Sequence, residues 1–345
     1  MKLGKINRLI LFGGSNFLAE FASELKKTSR FDILVFSSER HIEEILWNKN
    51  VSLGVFLKRL EIPFFVSRNI NRATNLKGYV DKNTLGIAFG ATWMFGKKTV
   101  GFFEKNHLLD FMGIDLPRYR GGAHSTWQIL HRNRVGAINL QIIEGGIDSL
   151  HKGEILKRDV YKIPRRLKTP IEFYENNIIF CRRFLRDFLS KLEKGIDFET
   201  IRLDETKSTY YPFLSTEING LINWDWSGGN ISLFIDAFDE PYQGASTFLY
   251  GQKVYLKKCQ MLPEEDNYHP FSSGLVIRRD ANSIFIATVG QLLKLEQVLT
   301  KNGKNIIEKV QVGDKFYTPY KELDKSRLFR AIYNWKGLTN ERPKR

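Results

Sequence analysis

The sequence predicts an α/β protein: an open, mainly parallel sheet with helices on both faces, followed by a small β-rich unit. Three observations lead there. Short apolar runs alternate with amphipathic stretches through the first half of the chain. After Trp224 this gives way to closely spaced short strands separated by Gly, Asn and Asp turns. A length of 345 residues suits two domains. The expected division is an α/β domain over 1–205, a β-rich domain over 206–320 and a basic tail over 321–345.

Arg8 to Phe12 has a buried-strand pattern and runs into Gly13, Gly14 and Ser15. A helix is expected from Phe17 to Lys27, apolar at Phe17, Leu18, Phe21, Ala22 and Leu25. Ile33 to Phe36 reads as a strand, His41 to Trp47 as helical, and Val51 to Leu60 follows. Apolar runs at Pro63 to Val66 and Leu85 to Phe89 complete the alternation. This is a Rossmann-like arrangement, although the Gly13-Gly14 turn is not GxGxxG and carries little dinucleotide signal. Ligands in such sheets sit beyond the carboxyl ends of the strands, so a site is expected at that edge. A long helix is expected from Thr169 to Leu192, and a linker from Asp204 to Ser215. A helix around Asn230 to Phe238 precedes strands at Thr247–Leu249, Lys253–Lys257, Gly274–Ile277, Ser283–Ala287 and Leu292–Leu295, an OB-like set.

Composition narrows the function classes. No apolar run approaches the ~18 residues needed to cross a bilayer, and residues 1–14 lack a signal-peptide pattern. The two cysteines, Cys181 and Cys259, form no CxxC and fit a reducing cytoplasm, without a disulfide framework or zinc site. The net charge of +15, from 53 basic and 38 acidic residues, suits polyanions, but the charges are scattered rather than blocked.

The segment Asp110 to Gly122, DFMGIDLPRYRGG, holds the chemistry. With Pro, two Gly and two Arg, its second half should be a structured loop. A short helix is expected to start near Ser125, with Ser125 or Thr126 as its N-cap. Gly136 to Ile143 and Gly153 to Leu156 read as strands.

Leu116, Pro117, Tyr119, Arg120 and Gly121 resemble the Leu-Pro-x-Tyr-Arg-Gly loop of the formyltransferase family that uses 10-formyltetrahydrofolate. Gly146, Asp148, Gly153 and Ile155 match its later Gly-x-Asp-x-Gly-x-Ile pattern, with a short insertion near Leu150 to Lys152. Phe89 to Phe95 is similar to the loop lining the folate pocket, and Ser125 to Ile129 to the branch acting on nucleotide-linked amino sugars. Gly220 to Trp224, Pro241-Tyr242 and Gly251 to Val254 follow the family's second domain.

The resemblance implies formyl transfer from 10-formyltetrahydrofolate to the amine of a nucleotide-linked amino sugar. It implies cofactor contacts from Ala88, Phe89, Gly90, Ala91, Thr92, Trp93, Met112 and Arg120, and substrate contacts from Arg118, Tyr119 and Trp127. No metal is implied, and a homodimer is allowed. Membrane and nucleic acid are not the expected partners. Residue by residue, the match departs at the chemistry. Counting back from Pro117 puts Asp110 where the family has Asn and Met112 where it has His, and only Asp148 is kept. An oxyanion-hole donor is worth about 10²–10³ in rate, and a methionine thioether replaces neither group. Asp110 can donate a hydrogen bond only if burial keeps it protonated. His124 and His151 are the candidates to take over proton transfer. The alternatives are a folate- or nucleotide-sugar-binding protein with an inactive site, and a formyltransferase acting on aminoacyl-tRNA.

Overall fold

The computed structural model describes residues 1–28, 31–47, 49–146, 153–262, 267–334 and 337–339. Its first half is built on a seven-stranded sheet. The strands are β1 (Arg8–Gly13), β2 (Asp32–Ser37), β3 (Phe64–Val66), β4 (Thr84–Phe89), β5 (Leu108–Met112), β7 (Val135–Ile142) and β8 (Ile155–Lys162). The order is β3-β2-β1-β4-β5-β7-β8. β3, β2, β1, β4 and β5 are parallel; β7 pairs antiparallel with β5 and β8 antiparallel with β7, so within this sheet β7 alone is reversed. The carboxyl ends of the parallel strands therefore share one edge, and the amino end of β7 meets it where Asn139 pairs with Met112.

Alternation of side chains sorts the sheet residues onto two faces. One face, with Leu9, Leu11, Val35, Leu109 and Phe111, packs under helices α1 (Asn16–Thr28) and α7 (Pro170–Glu193). α7 begins where the sequence places it because Thr169 and Glu172 form a capping box with Pro170 in the first turn. The other face, with Ile10, Phe12, Phe36 and Ala88, packs under the segment holding Trp93, Phe95 and Phe103. The short helices of this half are α2 (Glu39–Glu43), α3 (Leu53–Arg59), α4 (Leu76–Tyr79), α5 (Lys97–Val100) and α6 (His124–Leu130).

The second half is a five-stranded antiparallel sheet in the order β10-β11-β14-β13-β12. Its strands are β10 (Ala245–Leu249), β11 (Gln252–Leu262), β12 (Val276–Arg279), β13 (Ile284–Thr288) and β14 (Gln291–Leu299). After the short helix α8 (Thr216–Asn219), helix α9 (Gly228–Ala237) covers this sheet through Ile231, Phe234 and Ile235. The same core takes in Ile129 of α6 and Phe173 of α7, so α6 is held between the two halves.

Several expectations need correction. The helix expected over His41–Trp47 spans Glu39–Glu43, because Ser38 caps it and the chain turns extended at Glu44. The helix after Gly122 is not capped by Ser125 or Thr126. Its N-cap is Ala123, in a left-handed conformation, and the Thr126 hydroxyl instead donates to Ala237 O at 3.1 Å. Strand β5 is not apparent in the sequence pattern, because a carboxylate sits in the middle of its apolar run. The linker expected over Asp204–Ser215 contains a 3₁₀ turn (Glu205–Lys207) and strand β9 (Tyr210–Tyr211), paired with β6 (Arg120–Gly121). The stretch from 321 is not all tail: helix α10 (Tyr320–Leu328) buries Leu323, and strands β15 (Ile332–Asn334) and β16 (Gly337–Thr339) pair as a hairpin.

Candidate functional site

The Gly13-Gly14 turn is dictated by space. Gly13 has φ +102°, and a Cβ there would lie 2.6 Å from Phe89 O. The first turn and the end of β4 thus approach more closely than any side chain permits. His41 fills the room above Gly14, and burial pushes its imidazole down to about 3.

Asp110 lies on β5, the strand beside β4. It pairs with Ala88 on β4 and Gln141 on β7, and is half-buried. Removal from water pushes its carboxyl up to about 7. At neutral pH a large share of it is therefore a neutral acid able to donate a hydrogen bond. Met112, two residues on and on the same face, packs against the small cluster of Ile114, Leu116 and Ile155. It fills space there as a core methionine does.

The face shared by Asp110 and Met112 is polar beyond them. Gln141, 2% exposed, lies opposite Asp110 and donates from Nε2 to Gly153 O at 2.7 Å. Asn139 donates to the carbonyls of Met112 (3.2 Å) and Ile114 (2.6 Å), fixing the chain as it leaves β5. Asp115, buried, pairs with Arg118 and with Arg158 at 2.5 Å, and Arg158 also donates to Leu116 O. The motifs alone do not single out Asn139, Gln141 or Arg158. The signal available is the alternation of Asn139 and Gln141 within an otherwise apolar strand.

The motif loop is braced from the far side of the first half. Arg120 is a buried guanidinium bonded to both Glu205 oxygens, at 2.6 and 2.9 Å, and to Ser208 Oγ at 2.7 Å. These bonds brace the motif loop. Gly121 has φ +108°, and a Cβ would fall 1.9 Å from Tyr211 O, so only glycine allows β6 and β9 to pair. Tyr119 stacks on Tyr211 at 5.2 Å. Trp127 approaches Tyr211 at 5.1 Å and His131 at 5.8 Å, with its Nε1 donating to Pro212 O. Tyr119 and Trp127 are therefore walls of one aromatic group, which the fold completes with His131 and Tyr211. Arg118 remains more than half exposed despite its pairing with Asp115.

In the other loop, Ala88 and Phe89 end β4 in the core, and Gly90 turns with φ +58° into open space. Trp93 and Phe95 are core: Trp93 Nε1 donates to Arg68 O at 3.2 Å, and Phe95 meets Phe12 edge-on at 5.2 Å. Thr92 presents a buried hydroxyl with no hydrogen-bond partner among the described residues. Gly146 N donates to Phe95 O, tying the end of the β7 extension to this loop. His124 is the first residue of α6, half-buried. Asp148 and His151 lie outside the described residues.

A family model described as "Formyl transferase, C-terminal domain" matches residues 215–312. The methionyl-tRNA formyltransferase of Acetivibrio thermocellus is 26% identical over 204 residues, covering 59% of this chain and 63% of that protein. The bifunctional polymyxin resistance protein ArnA of Wigglesworthia glossinidia brevipalpis is 26% identical over 232 residues, 66% of this chain and 34% of that protein. The chain thus spans less than two thirds of each of these relatives. Among solved structures, an N-formyltransferase from Helicobacter canadensis, in complex with folinic acid and dTDP-3-aminofucose, superposes with a TM-score of 0.64. That pair shares 17% identity and covers 84% of this chain and 99% of that one. A sugar 3N-formyl transferase, WlaRD, gives a TM-score of 0.62 at 17% identity, covering 85% and 98%. Residues 215–312 thus match a formyl transferase C-terminal domain, and the chain is similar in sequence to formyltransferases and in fold to sugar N-formyltransferases.

Proposed function

We propose that the protein is an N-formyltransferase that moves a formyl group from 10-formyltetrahydrofolate to the amine of a nucleotide-linked amino sugar. The observation that carries this reading is Asp110: a carboxyl held near neutrality at the strand edge where the motif loop begins. Ten-formyltetrahydrofolate, when bound, supplies an electrophilic formyl carbon with a ring-linked nitrogen as leaving group. The residues present fit it. Gly90 leaves open space beside β4, and the Thr92 hydroxyl is a buried polar group without a partner among the described residues.

On this reading the neutral Asp110 donates its O–H to the oxygen that gains charge as the amine attacks the formyl carbon, the role an amide plays elsewhere in the family. The amine's proton passes to a nearby base, for which His124 and Asp148 are the candidates. Arg118, exposed on the same loop, offers a fork to the phosphates of the nucleotide. The amino-sugar acceptor is supported by the fold neighbours WlaRD and the Helicobacter canadensis enzyme. Sequence relatives named methionyl-tRNA formyltransferase favour a second reading, in which the acceptor is an aminoacyl-tRNA.

Calorimetry with folinic acid tests the donor site. Saturable binding is expected, weakened about fivefold by Thr92→Val through loss of one hydrogen bond. Absence of heat at millimolar ligand would leave the fold without its cofactor.

A further inference from the structure

The second half of the chain carries a site that the formyl-transfer reading does not use. At the turn between β10 and β11, Tyr250 and Gly251 face the strand-like segment from Lys315 to Pro319 and the start of α10. Between them lies a cleft of about 390 Å³, within the size range of small-molecule sites. It is lined by Phe248, Tyr250, Tyr317, Lys315, Lys321 and Glu322.

Two features set this cleft apart from ordinary surface. The first is a pair of exposed rings, Tyr250 at 72% and Tyr317 at 52%. The Tyr250 hydroxyl donates to Asp314, and the backbone at Tyr317 exchanges two hydrogen bonds with Phe248, at 3.1 and 3.0 Å. A ring tied at its hydroxyl, as Tyr250 is, loses less entropy when a flat ligand stacks on it. The second is charge. The acids of the cleft are already engaged: Glu322 pairs with Lys325 at 2.7 Å, and Asp314 accepts from Tyr250 and from Gln311 N. Lys315 and Lys321 form no ion pair among the described residues. Lys315 Nζ donates to Phe271 O at 2.9 Å, and neither Lys315 nor Lys321 has a carboxylate within 4.0 Å among the described residues.

We propose that this cleft binds a nucleoside phosphate, with the base against Tyr250 and Tyr317 and the phosphate on Lys315 and Lys321. Stacking on aromatic rings tolerates any base, and two ammonium groups outside any ion pair among the described residues select an anion over a neutral ring compound. The site lies on the second sheet, away from Asp110 on the first, and it does not rest on the formyl-transfer reading.

The test uses the full chain and adenosine diphosphate. Photolabelling with 8-azidoadenosine diphosphate is expected to mark peptides containing 248–251 or 315–322, and uridine diphosphate is expected to compete. Tyr317→Ala with Lys321→Ala, both at exposed positions, is expected to weaken adenosine diphosphate binding at this site at least tenfold while leaving the melting temperature unchanged. Arg118→Ala, in the other half, is expected to leave this labelling unchanged. Label confined to residues before 205, or binding indifferent to the double change, overturns the proposal. So does binding of an oligothymidylate or a poly-glutamate peptide without any binding of the diphosphate.

Discussion

Asp110→Asn is expected to stabilise the protein at pH 8 more than at pH 5, and to remove a loss of activity on the alkaline side. Burial raises the folded carboxyl to about 7, against 3.8 for a free one. The folded state therefore holds a proton that the unfolded chain has released. The stability linked to this group is complete below about pH 4 and is lost as pH rises through 7. A rise of this size is worth at most about 4 kcal/mol, and less where the half-buried carboxyl keeps contact with solvent. An amide of the same shape has no such loss. Denaturant unfolding of both proteins at the two pH values measures it, and an equal gain at both would show that Asp110 is ionised in the fold. Activity follows the same titration. If neutral Asp110 is the donor, turnover falls as pH passes 7 in the natural protein and stays level in Asp110→Asn.

Asp148→Asn is expected to lower turnover by about 10²–10⁴, the usual worth of a group that handles a proton in the transition state. This expectation comes from the motif Gly146-x-Asp148, since the residue itself lies outside the described part of the structure. His124→Ala produces a comparable loss only if that imidazole handles the proton. Single-turnover rates for the two variants separate these roles. An Asp148→Asn protein as active as the natural one removes Asp148 from the chemistry.

Much of the scaffold is legible in the sequence because its signals are local. β1, β2 and β4 are apolar runs bounded by turns, and α7 opens with a capping box and a proline. β5 is hidden because Asp110 interrupts its apolar run. The motif loop can be read as a loop, but its anchorage cannot. The partners of Arg120 and Gly121 are Glu205, Ser208 and Tyr211, about ninety positions on, and only the fold brings them together. The same holds for the Asp115–Arg158 pair and for Gln141 opposite Asp110. Trp93 and Phe95 show the converse. Their types suit a folate pocket, yet their environment is the core beneath the loop.

The most direct measurement is formyl transfer by the natural protein, with 10-formyltetrahydrofolate as donor and two acceptor sets: nucleotide-linked amino sugars and methionyl-tRNA. The expected result is turnover with at least one amino sugar, falling above pH 7, and none with the tRNA. Turnover on methionyl-tRNA alone would contradict the proposed acceptor. Turnover with neither, in a protein that still binds folinic acid and gains activity on Asp110→Asn with Met112→His, would show a binding protein whose site has lost its chemistry.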